Sequence, residues 1–312
     1  CRYVHHIDGL PDLSALRFTR YNQYESMILP LCKYIKDAGA KIIFDTTVTN
    51  VVCDCSNGKK LAKSIEYTEK GEEKTIALSE NDLVFITNGC QGDESAYGDQ
   101  THAPEVKIKN GEGPSIELWK NLAKQDKDFG HPEKFFKDIK ETSWESWTVE
   151  TSNKQILEAI EKICHRDPLS GKVVTGGIVT CKDSSWLISW TINRQGQFKD
   201  QKKDDCLIWI YGLNCWNDKG NFIEKPLYKC SGIELAAEWL YHIGIPKQDI
   251  MTLAEKECNT TPCMMPYVTS FFEPRKYGDR PLVVPKGSVN IAFMGQYAET
   301  PRDTVFTTEY SI

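Results

Sequence analysis

The sequence is short of positive charge, of clustered cysteines and of long apolar runs, and each shortage narrows the field. Lysine and arginine number 38 against 44 aspartates and glutamates, a net charge of −6 over 312 residues. No basic stripe is available to meet phosphates, so nucleic acid is not an expected partner. No apolar run approaches the roughly 18 residues of a membrane span. Twelve cysteines are present, but no CxxC pair, and the closest spacings are Cys53-Asp54-Cys55 and Cys206/Cys215. That scatter argues against zinc. Cys32, Cys164, Cys181 and Cys206 fall within apolar patterns, where a free thiol acts as a small hydrophobe. A reduced, cytoplasmic protein is the expectation. Internal repeats and low-complexity linkers are also missing. Cys1-Arg2-Tyr3-Val4-His5-His6 is neither an initiator methionine nor a signal peptide. The chain stops at Tyr310-Ser311-Ile312, where a helix pattern begins, so both ends read as cut from a longer protein.

What is present is the composition of a globular protein, 40% apolar and 26% charged, long enough for one large domain or two ordinary ones. Two short apolar runs end in glycine: Leu83-Val84-Phe85-Ile86-Thr87-Asn88-Gly89, and Asn290-Ile291-Ala292-Phe293-Met294-Gly295. This is the pattern of buried parallel strands whose carboxyl ends meet a ligand. Glycine there lets backbone approach a cofactor closely. A long stretch of different texture lies between them, as expected of a nucleotide-binding domain carrying an inserted second domain.

Residues 22–39 read as an amphipathic helix on Met27, Leu31, Tyr34 and Ile35, capped by Gly39, which must start near Pro30 or bend there. A strand is expected at 41–44. Strands at 48–53, 64–68 and 74–78 follow, joined at Ser56-Asn57-Gly58 and Lys70-Gly71 into a meander. Further on, helical patterns occupy 115–125, 156–165 and 233–243, and strand patterns 144–150, 173–181, 186–192 and 206–211. Trp147, Trp186, Trp190, Trp209 and Trp216 crowd this strand-rich stretch, either as core or as the lining of a cavity for a long apolar ligand. Segment 295–309 sets a glycine strand end before a helix start at Asp303 or Thr304, a corner suited to an anion or a ligand dipole. An ordinary capped helix has the same pattern.

Longer motifs go further. Tyr21-Asn22-Gln23-Tyr24-Glu25-Ser26, Arg166-Asp167-Pro168, Gly171-Lys172-Val173-Val174-Thr175-Gly176-Gly177-Ile178, Trp239-Leu240-Tyr241-His242, Pro262-Cys263-Met264-Met265-Pro266-Tyr267 and Pro301–Ser311 together resemble the oleate hydratase family, once called myosin-cross-reactive antigens. The resemblance runs from Cys1 to Ile312. It implies an α/β protein in which an FAD-binding Rossmann-like domain of the glutathione-reductase type (1–100 and 286–312) is interrupted by an α+β fatty-acid domain (101–285). It also implies a hydro-lyase that adds water to the cis-9 double bond of oleate to give 10-hydroxystearate, with FAD in a structural or electrostatic role. The partners implied are a long-chain unsaturated fatty acid such as oleate or linoleate, a second copy in a homodimer, and membrane contact through a further C-terminal part. The family's catalytic carboxylic acid and tyrosine map before Cys1, so residues 1–312 alone are expected to be inactive.

Residue by residue, the resemblance places the fatty-acid carboxylate on Gln23, Thr191 and Asn193. Thr191 and Asn193 lie two apart and so share a strand face. Where the family has Gln-Pro-His-Phe, this chain has Gln195-Gly196-Gln197-Phe198, so the usual histidine is Gln197, a hydrogen-bonding group without charge. The flavin is expected against Thr87, Asn88 and Gly89, and against Gly295, Gln296, Ala298, Glu299, Arg302, Asp303, Thr304 and Thr307. Arg302 has the alternative of pairing with Asp303 or Glu299. His5 and His6 are adjacent and would face opposite sides of a strand, which argues against a joint metal site. His242 reads as a structural residue at a helix end. Two rivals stay open: a flavin-dependent lipid oxidoreductase or isomerase, and a lipid-binding homologue without catalysis.

Overall fold

The computed structural model describes residues 18–170 and 177–300. In chain order, a π-helical turn (Tyr24–Ile28) runs into α1 (Leu29–Asp37), followed by β1 (Thr46–Asp54), β2 (Leu61–Glu69), β3 (Glu72–Ala77), β4 (Val84–Thr87) and β5 (Ala96–Tyr97). Then come α2 (Pro114–Ala123), β6 (Trp144–Thr151), α3 (Lys154–Cys164), β7 (Val179–Thr180), β8 (Ser189–Thr191) and β9 (Cys206–Gly212). The chain continues through α4 (Gly232–His242), α5 (Lys247–Lys256), β10 (Asn259–Met265) and β11 (Ile291–Met294). No helix among these residues is long and apolar enough to cross a membrane.

The chain divides into two interleaved units. The first takes residues up to Ile42, then Ala96–Glu105 and Trp144–Met264; the second takes Ile43–Ser95, Val106–Ser143 and the stretch from Met265. In the first unit, six strands form one sheet in the order β5-β10-β6-β9-β8-β7. Trp147, Val149, Ile208, Ile210 and Trp190 fill one face, where Trp190 meets Trp239 of α4 edge to face at 6.0 Å. Helix α4 starts with a capping box between Ser231 and Glu234, which satisfies backbone N–H groups at its open end. Helix α3 closes on His165 in the left-handed conformation (φ 52°).

Pro30 is accommodated by the π turn upstream of it: Leu29 N–H donates to Tyr24 O, five residues back. The wider turn makes room where the proline ring removes a donor.

The second unit holds the meander β1-β2-β3 and the parallel pair β4–β11. Asn57 and Gly58, like Lys70 and Gly71, all have positive φ, as a tight hairpin turn between right-twisted strands requires. Val51, Ala62, Val84, Ile86, Leu118, Leu122, Phe129, Ile291 and Phe293 form its core. Phe135, Phe136 and Tyr297 surround Trp119 and one another, and Tyr267 packs edge-on against Phe136, with ring separations of 5.1–6.4 Å.

Several expectations change. The strand patterns at 173–181 and 186–192 shorten to Val179–Thr180 and Ser189–Thr191, with 171–176 outside the described residues. Residues 41–44 form no strand; the extended segment begins at Thr46. Strand β4 is buried on one face only: Val84 and Ile86 are covered, while Phe85 is 64% exposed. A continuous apolar run therefore does not by itself show that both faces are covered.

Candidate functional site

In the first unit, alternation along β6, β8 and β9 separates two sets of side chains. Away from the packed face lie Ser146, Thr148, Trp209, Tyr211, Ser189 and Thr191. Thr191 pairs with Trp209 and Ser189 with Tyr211 on one flank; Thr148 pairs with Trp209 and Ser146 with Tyr211 on the other. The five tryptophans of the strand-rich stretch thus divide. Trp147, Trp186 and Trp190 are core, Trp216 leans on Tyr228 with ring centres 4.6 Å apart, and Trp209 is 37% exposed on the open face. A trough of about 500 Å³ opens there between Thr148, Glu150, Leu207 and the loop bearing Phe198 and Asp200.

The expected carboxylate anchors gather at this end of the sheet. Asn22 holds the Gln197 carbonyl twice, from its backbone N–H at 2.6 Å and from Nδ2 at 2.9 Å. The Glu25 carboxylate accepts from Asn22 Nδ2 at 2.8 Å and from Lys199 N–H at 3.1 Å. Arg194 donates to the carbonyls of Thr19 and Arg20 at 3.1 and 2.8 Å. The strand extension 193–201 is in this way tied to the N-terminal segment, which brings Gln23 towards Gln197. Gln23 is exposed, Asn193 and Gln197 are half-buried, and Thr191 is buried, with its hydroxyl 3.4 Å from Gly177 O.

Gln195 is the residue that sequence reasoning passed over. Its side chain exchanges two hydrogen bonds with the Leu207 main chain, at 2.9 and 3.2 Å, and donates to Asn193 O at 2.8 Å. It thereby locks the strand extension onto β9. Its one visible signal is an uncharged amide within an otherwise expected motif.

Two buried glutamates of this unit contrast. Glu238 accepts from the backbone N–H groups of Asn221, Phe222 and Ile223 at 2.7–2.9 Å, and its other partner is His242 Nε2 at 3.1 Å. Burial presses its pKa up, but the His242 ring and those N–H groups outweigh it and hold the carboxyl below its ordinary value. Glu145 is equally buried, and neither carboxylate oxygen has a partner among the described residues. Burial holds its pKa well above the ordinary value.

In the second unit, β4 and β11 run parallel in the register Val84↔Ile291 to Thr87↔Met294. The two glycine ends therefore lie side by side. Gly89 has φ 118° and Gly295 φ 90°. A Cβ on Gly295 would sit 3.1 Å from Thr87 Cγ2, and one on Gly89 would sit 3.0 Å from Asp93 Oδ2. Asn88 is fully buried, and neither atom of its carboxamide has a partner among the described residues. A buried amide left unmatched between two bare backbone ends fits a group that brings its own donors and acceptors.

The remaining expected flavin contacts are differently placed. Thr87 is exposed and Ala298 belongs to the core. Gln296 Oε1 accepts from Gln91 N–H at 2.7 Å. The Glu299 carboxylate is held by Arg280 at 3.0 Å and Arg275 at 3.3 Å, so it serves the fold of the loop. Arg302, Asp303, Thr304 and Thr307, and also His5 and His6, lie outside the described residues. His242 is the partner of Glu238, and among the described residues no cluster of histidine, cysteine and carboxylate groups suits a metal ion. The described cysteines are all free thiols; burial pushes Cys206 and Cys258 up to about 12, which leaves them protonated and unreactive.

The fold and these two sites define a mixed α/β protein with a backbone-built ligand corner in one unit and an aromatic, hydroxyl-lined sheet face in the other. The chain belongs to the MCRA family, whose signature matches residues 1–312. It is 49% identical over 314 positions to an oleate hydratase of Streptococcus pyogenes serotype M49 (strain NZ131), covering all of this chain and 53% of that protein. It is 31% identical over 342 positions to a linoleate hydratase of Lactiplantibacillus plantarum, covering 100% of this chain and 57% of that protein. The chain spans about half the length of the curated relatives it matches.

Proposed function

We propose that this chain is part of an FAD-binding fatty acid hydratase that adds water to the cis-9 double bond of oleate, giving 10-hydroxystearate. The observation that carries the reading is 49% identity to an oleate hydratase across the whole chain. In this reading the first unit forms the fatty-acid domain, and the second belongs to the dinucleotide-binding fold. Asn88, Gly89 and Gly295 hold the flavin; the unpartnered Asn88 amide and the bare strand ends support that assignment. Bound there, FAD supplies fixed charge and shape, because hydration involves no net electron transfer.

Hydration places a proton on one alkene carbon and the hydroxyl of water on the other. The acid and the tyrosine that would move that proton lie outside this chain. Its own residues bind and orient the substrate. The uncharged donors of Gln23, Thr191, Asn193 and Gln197 hold the carboxylate, and apolar surface keeps bulk water from the reacting carbons. With Gln197 where a histidine is usual, the grip is by neutral hydrogen bonds, each worth about 1 kcal/mol net.

The test is conversion of oleate by the intact protein in ¹⁸O-labelled water. The label is expected in the hydroxyl of 10-hydroxystearate. Label entering from O₂ instead would replace hydration with oxygenation.

A further inference from the structure

The glycine ends of the second unit are neighbours because β4 and β11 pair, but the ladder stops at Thr87↔Met294. Beyond that pair each chain turns at a glycine of positive φ, Gly89 at 118° and Gly295 at 90°. The strands alone therefore do not fix how far apart the two ends stand. A side chain crosses the gap. Gln296 Oε1 accepts from the Gln91 backbone N–H at 2.7 Å, and Gln296 Nε2 donates to Gln91 Oε1 at 3.3 Å.

Both partners are themselves anchored. On the β11 side, Arg280 Nη1 donates to Gln296 O at 3.1 Å, and Nη2 of the same buried guanidinium reaches Glu299 at 3.0 Å. Gln296 is itself buried. On the β4 side, the turn after Gly89 closes on itself. Asp93 Oδ2 accepts from Cys90 N–H at 2.9 Å, Asp93 N–H donates to Cys90 O at 3.1 Å, and Ser95 Oγ donates to Gly92 O at 2.7 Å. A turn closed in this way moves as one piece, so the link from Gln91 to Gln296 sets its place against Gly295.

We propose that Gln91 and Gln296 are positioning residues, a pair of carboxamides that holds the Gly89 and Gly295 ends at the spacing a flavin needs before the flavin arrives. The proposal rests on the flavin reading above, and it gives Gln296 a role exercised through Gln91. Spacing set in advance lowers the ordering cost of binding. Carboxamides suit the task, because each offers both a donor and an acceptor. They also add no charge next to the Asp93 carboxylate, which lies 3.0 Å from where a Cβ on Gly89 would stand. Asn88, whose buried amide has no partner among the described residues, precedes Gly89 and is held at the same spacing.

The test is titration with FAD of the intact protein stripped of flavin, read by quenching of flavin fluorescence, with the visible absorption band of the bound flavin recorded alongside. Gln296→Ala removes both bonds and is expected to weaken FAD binding about ten-fold. Gln91→Ala removes one and is expected to weaken it about three-fold. The double variant is expected to bind as Gln296→Ala does, because the Gln91 side chain acts through Gln296. The vibronic shoulders of the flavin band are expected to blur in both single variants, as a loosened corner admits water to the ring. A loss of folded protein would instead scale the band without changing its shape. Should Gln296→Ala not fold, Gln91→Ala, which keeps the bond to the backbone N–H, carries the test. Wild-type affinity and band shape in both single variants overturn the brace, and so do additive losses in the double variant. An intact protein that takes up no flavin overturns the flavin reading itself.

Discussion

The two units solve the same problem with different materials. In the second unit the candidate site is backbone: two parallel strands end side by side in glycines 89 and 295, where a Cβ would crowd the nearest side chain at 3.0–3.1 Å. In the first unit it is side chain: an open sheet face of rings and hydroxyls, with amide donors on a strand extension. Each unit also uses one buried ion to fasten a loop, Glu238 in the first and Arg280 in the second. Among the described residues, the buried groups without a partner include Glu145 in the first unit and Asn88 in the second. A backbone site is intolerant of mutation at its own positions, whereas a side-chain site can be dismantled without harming the fold.

The largest test of that comparison removes the fasteners. Arg280→Ala and Glu238→Ala should each destabilise the protein by about 3–5 kcal/mol, measured by urea unfolding, because each strands buried partners. Glu238 carries a pH signature as well. Its folded pKa is depressed, so its contribution is present above the ordinary glutamate value and is lost as pH falls below that value through the folded pKa. Glu238→Gln should therefore flatten the acid limb of the stability profile.

Next come the glycines. Gly295→Ala and Gly89→Ala force a side chain onto positive φ, at a cost of about 1–2 kcal/mol each, and should lower flavin retention, read by absorbance after gel filtration. If either is neutral, the second site is not built from backbone.

Glu145 gives a smaller effect of opposite sign. Its folded pKa is raised, so the unfolded chain gives up the proton first and stability falls as pH rises above the ordinary glutamate value. That adds a slope of roughly 1 kcal/mol per pH unit, which Glu145→Gln should abolish.

The smallest change in stability is expected on the open face. Asn193→Ala should alter unfolding by no more than about 0.5 kcal/mol, as for other substitutions outside the core, while weakening oleate binding measured by calorimetry. A large loss of stability there would erase the distinction between the two kinds of site.

Much of the local structure is legible along the chain. The turns at Asn57-Gly58 and Lys70-Gly71 and the breaker at Pro30 announce themselves because a few adjacent residues set the backbone. Helix α5 and strand β10 are less legible, since their apolar positions mean little until α4 and β6 are beside them. Single residues fare likewise. Asn88 and Gly295 stand out as strand ends, yet Glu299 looks the same in the sequence and proves to be held by Arg275 and Arg280. Gln195, with no charge or spacing to mark it, is found only through Leu207.

By itself the sequence determined the strands and helices governed by local rules, the glycine ends and the family, because these depend on neighbours in the chain or on motifs long enough to be specific. Only the tertiary structure decided which tryptophans are core and which lie open. It also paired the glycine ends side by side, left Glu145 and Asn88 unmatched, and joined Asn22 to the Gln197 carbonyl. Each of these is a contact between residues far apart in the chain, and burial and hydrogen-bond satisfaction are properties of such contacts.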